Sequence, residues 1–212
     1  MSRVAPTLEP EPACASAIIG DRIPLLRRFA EAIADQGEQR GLIGPSEISR
    51  LWTRHLLNCG VVAPLLRPGL VGDVGSGAGL PGLVLAIARP DVSFVLIEPM
   101  ERRVLWLREQ SESLELENVS IIRGRAQDVE LPQPLDQVTA RAVSALSTLI
   151  PLTAPLVKNG GELVLLKGIN AHKEIDGAAR EIRRFRLAPP EIVLLGDGVL
   201  SEATRVVRAT VG

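Results

Sequence analysis

The sequence predicts an α/β domain: a doubly wound, mostly parallel sheet that ends in an antiparallel hairpin and is preceded by helices. Three observations carry this. From residue 70 onward, apolar runs of strand length alternate with segments of helical spacing, the pattern of successive β–α–β units. The first run, "LVGDV", passes at once into the glycine-rich loop "GSGAGLPG" and then a helix. The last two runs, "PEIVLLGD" and "TRVVRATV", are separated only by "GVLSEA" and so can pair with each other.

The elements follow in order. In "DRIPLLRRFAEAIADQ", Ile23, Leu26, Phe29 and Ile33 recur at helical spacing, with Asp21 as the expected N-cap and Gly37 as the stop. A second helix is expected from Ser46, carrying Ile48, Leu51, Trp52 and Leu56. After "LVGDVG", Pro81 suits the first turn of the helix "LPGLVLAIARP", where a missing N–H is harmless. "VSFVLIEP" is the second strand, "ERRVLWLREQSESLEL" the next helix, "VSIIRG" the third strand and "DQVTARAV" the fourth. "LIPLTAPLVKNGG" reads as helix and turn, and "GELVLLKG" as the fifth strand. Residues 1–13 are expected to form a disordered, Pro-rich tail, 14–69 a helical element, and 70–212 the α/β domain, packed with 14–69 as one unit.

Composition narrows the function. The chain of 212 residues is 46% hydrophobic, enough for one sizeable core, yet no run approaches the ~20 apolar residues of a membrane span. The first residues lack the apolar stretch of a signal peptide. Cys14 and Cys59 show neither C-x-x-C spacing nor a histidine cluster, so reduced cysteines in a cytoplasm are expected, without a metal site. A net charge of −1 means that any nucleic-acid surface must be local. Aromatics at 2% argue against a protein that stacks single-stranded bases on aromatic platforms.

Gly75, Gly77 and Gly79 lie where a strand enters a helix, a place where glycine lets a ligand approach the backbone. With Gly82 the same letters spell either G-x-G-x-G or the dinucleotide fingerprint G-x-G-x-x-G. Asp73 can order this loop or bond a ligand amine. Glu98, closing the second strand, can accept both hydroxyls of a ribose, as either kind of nucleotide cofactor requires. Ala126 and Gln127, after the third strand, pass the same crevice and can meet an adenine edge; alone, Gln127 reads as an exposed loop amide.

With those residues in view, the sequence resembles the bacterial ribosomal RNA small-subunit methyltransferase G family, also known as glucose-inhibited division protein B. "RHLLNC" (54–59), "DVGSGAGLPG" (73–82), "RGRAQDV" (123–129), "ARAVSAL" (140–146) and "LLKG" (165–168) fall in the family's order over nearly the whole chain. The resemblance implies a Rossmann-like, seven-stranded methyltransferase fold, S-adenosylmethionine as cofactor, and transfer of a methyl group to N7 of a guanine in small-subunit rRNA. It carries cofactor contacts onto Gly75, Leu80, Ala126, Gln127 and Arg141, with Gly77 and Gly79 in the loop and Glu98 as ribose acceptor. Three departures stand out: Asn58-Cys59 where Asp-Ser is frequent, Pro99-Met100-Glu101 ahead of Arg102-Arg103, and Gln127 where Glu is frequent.

Guanine N7 has a lone pair and no proton, so its attack needs no general base, and catalysis can rest on proximity and alignment. No His/Asp or Cys/His constellation appears at the expected site. Arg141, ending the fourth strand, is placed by the resemblance on the cofactor, where a guanidinium can bind a carboxylate bidentately; otherwise it caps a carbonyl or pairs with Asp136. Arg102, Arg103, Arg123, Arg125 and Lys167 are candidates for a local basic rim that binds RNA phosphates. The run "REIRRFR" reads as a solvated helix face, His55 as a packed or helix-capping histidine and His172 as solvent-facing.

The expected partner is therefore small-subunit rRNA or the small ribosomal subunit, acted on by a cytoplasmic monomer with no membrane attachment. Two other classes compete. A nicotinamide-dependent oxidoreductase would use Gly77, Gly79 and Gly82, but the chain has no Tyr and neither histidine has an obvious place as catalytic acid. A non-catalytic ribosome-assembly protein would keep the fold without methyl transfer.

Overall fold

The computed structural model describes residues 7–212; residues 1–6, part of the expected tail, lie outside the described residues. Seven strands form one sheet: β1 (Leu70–Val74), β2 (Ser93–Glu98), β3 (Val119–Arg123), β4 (Leu135–Arg141), β5 (Val157–Lys167), β6 (Glu191–Leu195) and β7 (Thr204–Thr210). Their order across the sheet is β3-β2-β1-β4-β5-β7-β6. The first five are parallel, and β7 is antiparallel to both β5 and β6. The expected mostly parallel sheet with a C-terminal hairpin is the observed one.

The helices are α1 (Ala15–Ile19), α2 (Ile23–Gln36), α3 (Leu57–Gly60), α4 (Gly82–Ala88), α5 (Glu101–Ser113), α6 (Leu146–Thr153), α7 (Ala171–Gly177) and α8 (Ala179–Arg184). They cover both faces of the sheet. Leu26, Phe29 and Ile33 of α2 join Leu83 and Ile87 of α4 and Trp106 of α5 in one apolar core. Leu149 and Ile150 of α6 join Ala171, Ala178 and Leu187 in a second. Residues 14–69 thus share a core with the sheet-covering helices. Further upstream, Glu9 N–H donates to the Ile48 carbonyl at 3.2 Å, and the Glu11 carboxylate pairs with Arg27.

Local structure departs from expectation in three places. Helix α2 begins at Ile23, with Asp21 inside a preceding 3-10 turn rather than capping it. The helix expected from Ser46 is broken into a 3-10 segment (Pro45–Arg50), a π-helical turn (Trp52–Leu56) and α3. Its apolar positions are still buried, because Ile48, Leu51, Trp52 and Leu56 face the core whichever helical pitch joins them. Strand β5 begins at Val157 and runs through "NGG", whose composition predicts a turn. Its ladder with β4 slips between Leu135 and Gln137, and Gly160 N–H reaches the Val211 carbonyl at 2.7 Å, so the extra residues bulge without ending the strand.

This topology positions the site. The strand order reverses between β1 and β4, which opens a crevice at the carboxyl ends of the parallel strands. Glu98, Arg123, Arg141 and Lys167 each close a strand on that edge. Among the described residues no helix is long and apolar enough to cross a membrane.

Candidate cofactor and substrate site

The glycine loop turns its amides inward. Gly75 and Ser76 N–H donate to the Ile97 carbonyl at 2.9 and 3.3 Å, and Gly79 and Leu80 N–H to the Ser76 carbonyl at 2.7 and 3.2 Å. Gly77 N–H donates to Glu98 Oε2 at 2.9 Å, and Gly82 N–H to Asp73 Oδ2 at 3.0 Å. Pro81 has no N–H to offer. A pyrophosphate needs free amides at such a helix start. Here the N–H groups of Gly75, Ser76, Gly77, Gly79, Leu80 and Gly82 are engaged within the protein.

The loop nevertheless leaves room for a ligand. Gly75, Gly77, Ala78 and Leu80 line a cavity of about 210 Å³, completed by Leu42 and Ile43 of the N-terminal element and by His55, Arg103 and Arg141. Gly77 has φ of 57°, and a Cβ placed there would meet nothing nearer than the Gly75 carbonyl oxygen at 3.8 Å. Its missing side chain is space that belongs to the cavity. A second, wider hollow of about 460 Å³ lies beside it, lined by Arg54, Asn58, Lys167, Glu202 and Arg205 among others. His55, Arg141 and Ala142 border both.

Several buried polar atoms here lack a protein partner: Asp73 Oδ1, Arg103 Nε and Arg141 Nε. Such atoms are ordinarily paired. Burial pushes the Asp73 carboxyl up to about 7, partly offset by the Gly82 N–H and the Arg141 charge. From the other side, Trp106 Nε1 donates to the Ala78 carbonyl at 3.0 Å, fastening α5 to the loop.

Comparison with known proteins identifies the family. The family model described as rRNA small subunit methyltransferase G matches residues 22–197. The chain belongs to that family. It is 66% identical over 205 residues to a ribosomal RNA small subunit methyltransferase G of Leifsonia xyli subsp. xyli, covering 97% of this chain and 98% of the relative. A relative of the same name from Thermobifida fusca is 49% identical, over 92% of this chain and 82% of its own length. Among solved structures, TYW2 of M. jannaschii in complex with AdoMet matches with a TM-score of 0.58 at 18% identity, over 76% of each chain. An rRNA methylase from Streptococcus thermophilus matches with a TM-score of 0.51 at 13% identity, over 73% of this chain and 94% of that one. These two share the fold.

The expected cofactor residues fall into two sets. Gly75, Gly77, Leu80 and Arg141 line the smaller cavity directly. Gly79 sits in the turn, its φ of 95° closing the loop over the Leu83 side chain. Glu98 lies beneath the loop, 2% exposed, with Oε2 on Gly77 N–H and Oε1 on Met100 N–H at 3.0 Å. Each oxygen keeps a second lone pair for a hydroxyl. Ala126 is buried and Gln127 exposed on the turn after β3.

The expected basic rim is likewise divided. Arg102 and Arg125 are exposed, and Arg123 is paired with Glu101 at 3.1 Å. Arg103 instead forms part of the smaller cavity. Lys167 is turned inward: its ammonium donates to the Ser144 carbonyl at 2.7 Å and pairs with Glu174 at 2.6 Å, its side chain 8% exposed. Glu174 in turn accepts Leu146 N–H at 3.0 Å, so the pair fastens the 142–145 loop and the start of α6 to the end of β5 and to α7. Asp136 pairs with Lys158 and accepts Leu70 N–H, leaving Arg141 to other partners.

Sequence reasoning missed Leu42, Ile43 and Glu47. No local pattern marks the first two as cavity residues. Glu47 is found through His55, whose Nε2 lies 2.7 Å from Glu47 Oε2, while His55 Nδ1 lies 3.1 Å from Arg141 Nη1. Both cysteines are free, and burial raises the Cys59 thiol to about 11.

Proposed function

We propose that the chain transfers a methyl group from S-adenosylmethionine to N7 of a guanine in small-subunit ribosomal RNA. Family membership makes it an S-adenosylmethionine-dependent rRNA methyltransferase; the target atom is the finer claim. One observation carries it. On the wall between the two hollows, the histidine ring has both nitrogens engaged, by Glu47 and by Arg141. It is therefore in no position to take a proton from a substrate. Glu174 in the wider hollow is held by Lys167, and Glu202 lies within 3.8 Å of Arg54. A hydroxyl or exocyclic amine acceptor must lose a proton, whereas N7 need not.

When bound, the cofactor supplies a methyl group already activated on a sulfonium. The chain's part is then to bind and align, which can contribute up to ~7–11 kcal/mol of barrier lowering. Gly77 admits the ligand to the backbone, and Glu98 offers lone pairs for the ribose hydroxyls. Arg103 and Arg141, each with an unpartnered Nε, suit the cofactor's carboxylate. Ala126 and Gln127, on the turn after β3, are assigned to the adenine by the family resemblance. Arg102, Arg123 and Arg125 offer charge to RNA phosphates outside the cavity.

The engagement of six loop amides within the protein disfavours a nicotinamide dinucleotide, whose pyrophosphate needs free donors there. Two unpaired cysteines suit a reducing cytoplasm. Labelled S-adenosylmethionine incubated with small subunits lacking the modification, followed by digestion and mass spectrometry, should yield 7-methylguanine. Label on a ribose or an exocyclic amine, with none on N7, would refute the target assignment. No transfer at all would favour a ribosome-assembly protein.

A further inference from the structure

We infer that His55, held by Glu47, is a positioning residue for Arg141: the neutral imidazole keeps its proton on Nε2 and accepts from the guanidinium through Nδ1. The inference rests on reading the smaller cavity as the cofactor's.

The donor inventory fixes the tautomer. A guanidinium can only donate, so the nitrogen facing Arg141 Nη1 at 3.1 Å must carry a lone pair. The other nitrogen, 2.7 Å from a carboxylate oxygen, must then carry the proton. Three charged groups act on the ring: Glu47, Arg54 and Arg141. Burial is the leading influence that lowers the proton affinity of His55; the Arg141 charge acts in the same direction, and Glu47 only partly opposes them. A charged ring would lose its acceptor and face Arg141 with a like charge.

The backbone is built to hold this ring. His55 lies in the π-helical turn Trp52–Leu56, a form found mostly as single turns and often at functional sites. Glu9 secures that turn, its carboxylate accepting Thr53 N–H at 3.0 Å and Thr53 Oγ1–H at 2.8 Å. Glu47 is itself paired with Arg50 and lies 3.7 Å from Arg54. The chain Glu47–His55–Arg141 therefore ties the N-terminal element to the end of β4, on the wall common to both hollows. The N-terminal element completes the cofactor site as well as covering the core.

Two substitutions separate the ring's two bonds. Asn places an oxygen near the position of Nδ1, so His55→Asn keeps an acceptor for Arg141 and loses Glu47. Gln places its amide near Nε2, so His55→Gln keeps the Glu47 contact and loses the acceptor. Calorimetry with S-adenosylmethionine should show His55→Gln weakened about tenfold or more and His55→Asn only a few-fold, as expected for losing or keeping a charge-assisted bond. Wild-type affinity should also fall below the ordinary histidine range of pH, and His55→Asn, which retains Asp73, should lack that part of the fall. Long-range 15N–1H spectra of the wild type need neither cofactor nor RNA, and with two histidines in the chain they are readily assigned. They should show His55 neutral with Nδ1 unprotonated. A Nδ1–H tautomer, a charged ring at neutral pH, or equal losses in the two variants would overturn the inference. Failure to methylate N7 with this pattern intact would instead refute the target assignment.

Discussion

Asp73 Oδ2 accepts the Gly82 N–H at 3.0 Å, a bond that closes the glycine loop beneath the ligand cavity from one end of β1 to the start of α4. The carboxyl is fully buried, its Oδ1 has no partner, and burial raises its pKa to about 7 against 3.8 in the open chain. The folded protein therefore holds this proton more tightly than the unfolded chain. The linked stability is complete below the unfolded value and is lost as pH rises through about 7. It amounts to a few kcal/mol at most. Asp73→Asn keeps an oxygen for Gly82 N–H and removes the titration. Denaturant melts of the ligand-free protein between pH 4 and pH 8 should be flatter for the variant, and parallel curves would contradict this.

Gly77 makes a second prediction. A side chain there occupies the cavity rather than the core, since only the Gly75 carbonyl stands near the added Cβ. Gly77→Leu should abolish measurable S-adenosylmethionine binding while lowering stability by only about 1 kcal/mol, the strain of a non-glycine residue at positive φ. Calorimetry and thermal melts together check it. Undiminished affinity would mean that the cofactor lies elsewhere.

The sheet was legible because its strands are apolar runs bounded by glycine, proline and charge, and because the last two lie too close for a crossover helix. The glycine loop was legible for the same local reason. The π turn at 52–56 was not. Ile48, Leu51, Trp52 and Leu56 fall on one face for an α-helix and for the broken helix alike, so side-chain spacing carries no record of the altered hydrogen bonds. "NGG" reads as a turn in sequence, yet β4 and the chain end at Val211 hold those residues in a bulged strand. The site's partnerships are tertiary. Nothing near Lys167 in sequence announces Ser144 or Glu174, and nothing near His55 announces Arg141.

Lys167 illustrates the consequence. Its ammonium bridges the Ser144 carbonyl and Glu174, which also caps the Leu146 N–H. Lys167→Met should release the 142–145 loop and leave Glu174 without its charge partner. Because Glu174 keeps some solvent access, a loss of about 2 kcal/mol is expected, below the range for fully buried pairs. That corresponds to roughly 4–8 °C in Tm for a chain of this size. Methyl transfer should fall further than cofactor affinity, since the loop borders the wider hollow. A variant with wild-type Tm would show that the bridge is dispensable.

Arg102 and Arg103 are neighbours in sequence but serve different surfaces, because adjacent residues of a helix point about 100° apart. Arg103 forms part of the smaller cavity, with Nε buried and unpartnered. Arg102 is exposed beside Gly41, its guanidinium 3.4 Å from where a Cβ on that residue would stand. Arg103→Ala should therefore weaken S-adenosylmethionine binding by about 1.5–3 kcal/mol, the range for a charge-assisted contact, and change RNA affinity little. Arg102→Ala should leave cofactor affinity near wild type and weaken RNA binding. If Arg102 meets a phosphate, its loss should also flatten the dependence of log affinity on log salt by about one. Calorimetry with cofactor, and RNA titrations over several salt concentrations, read the two effects independently. Equal losses of RNA affinity in both variants, with cofactor binding intact, would place Arg103 on the RNA surface and remove it from the cofactor site.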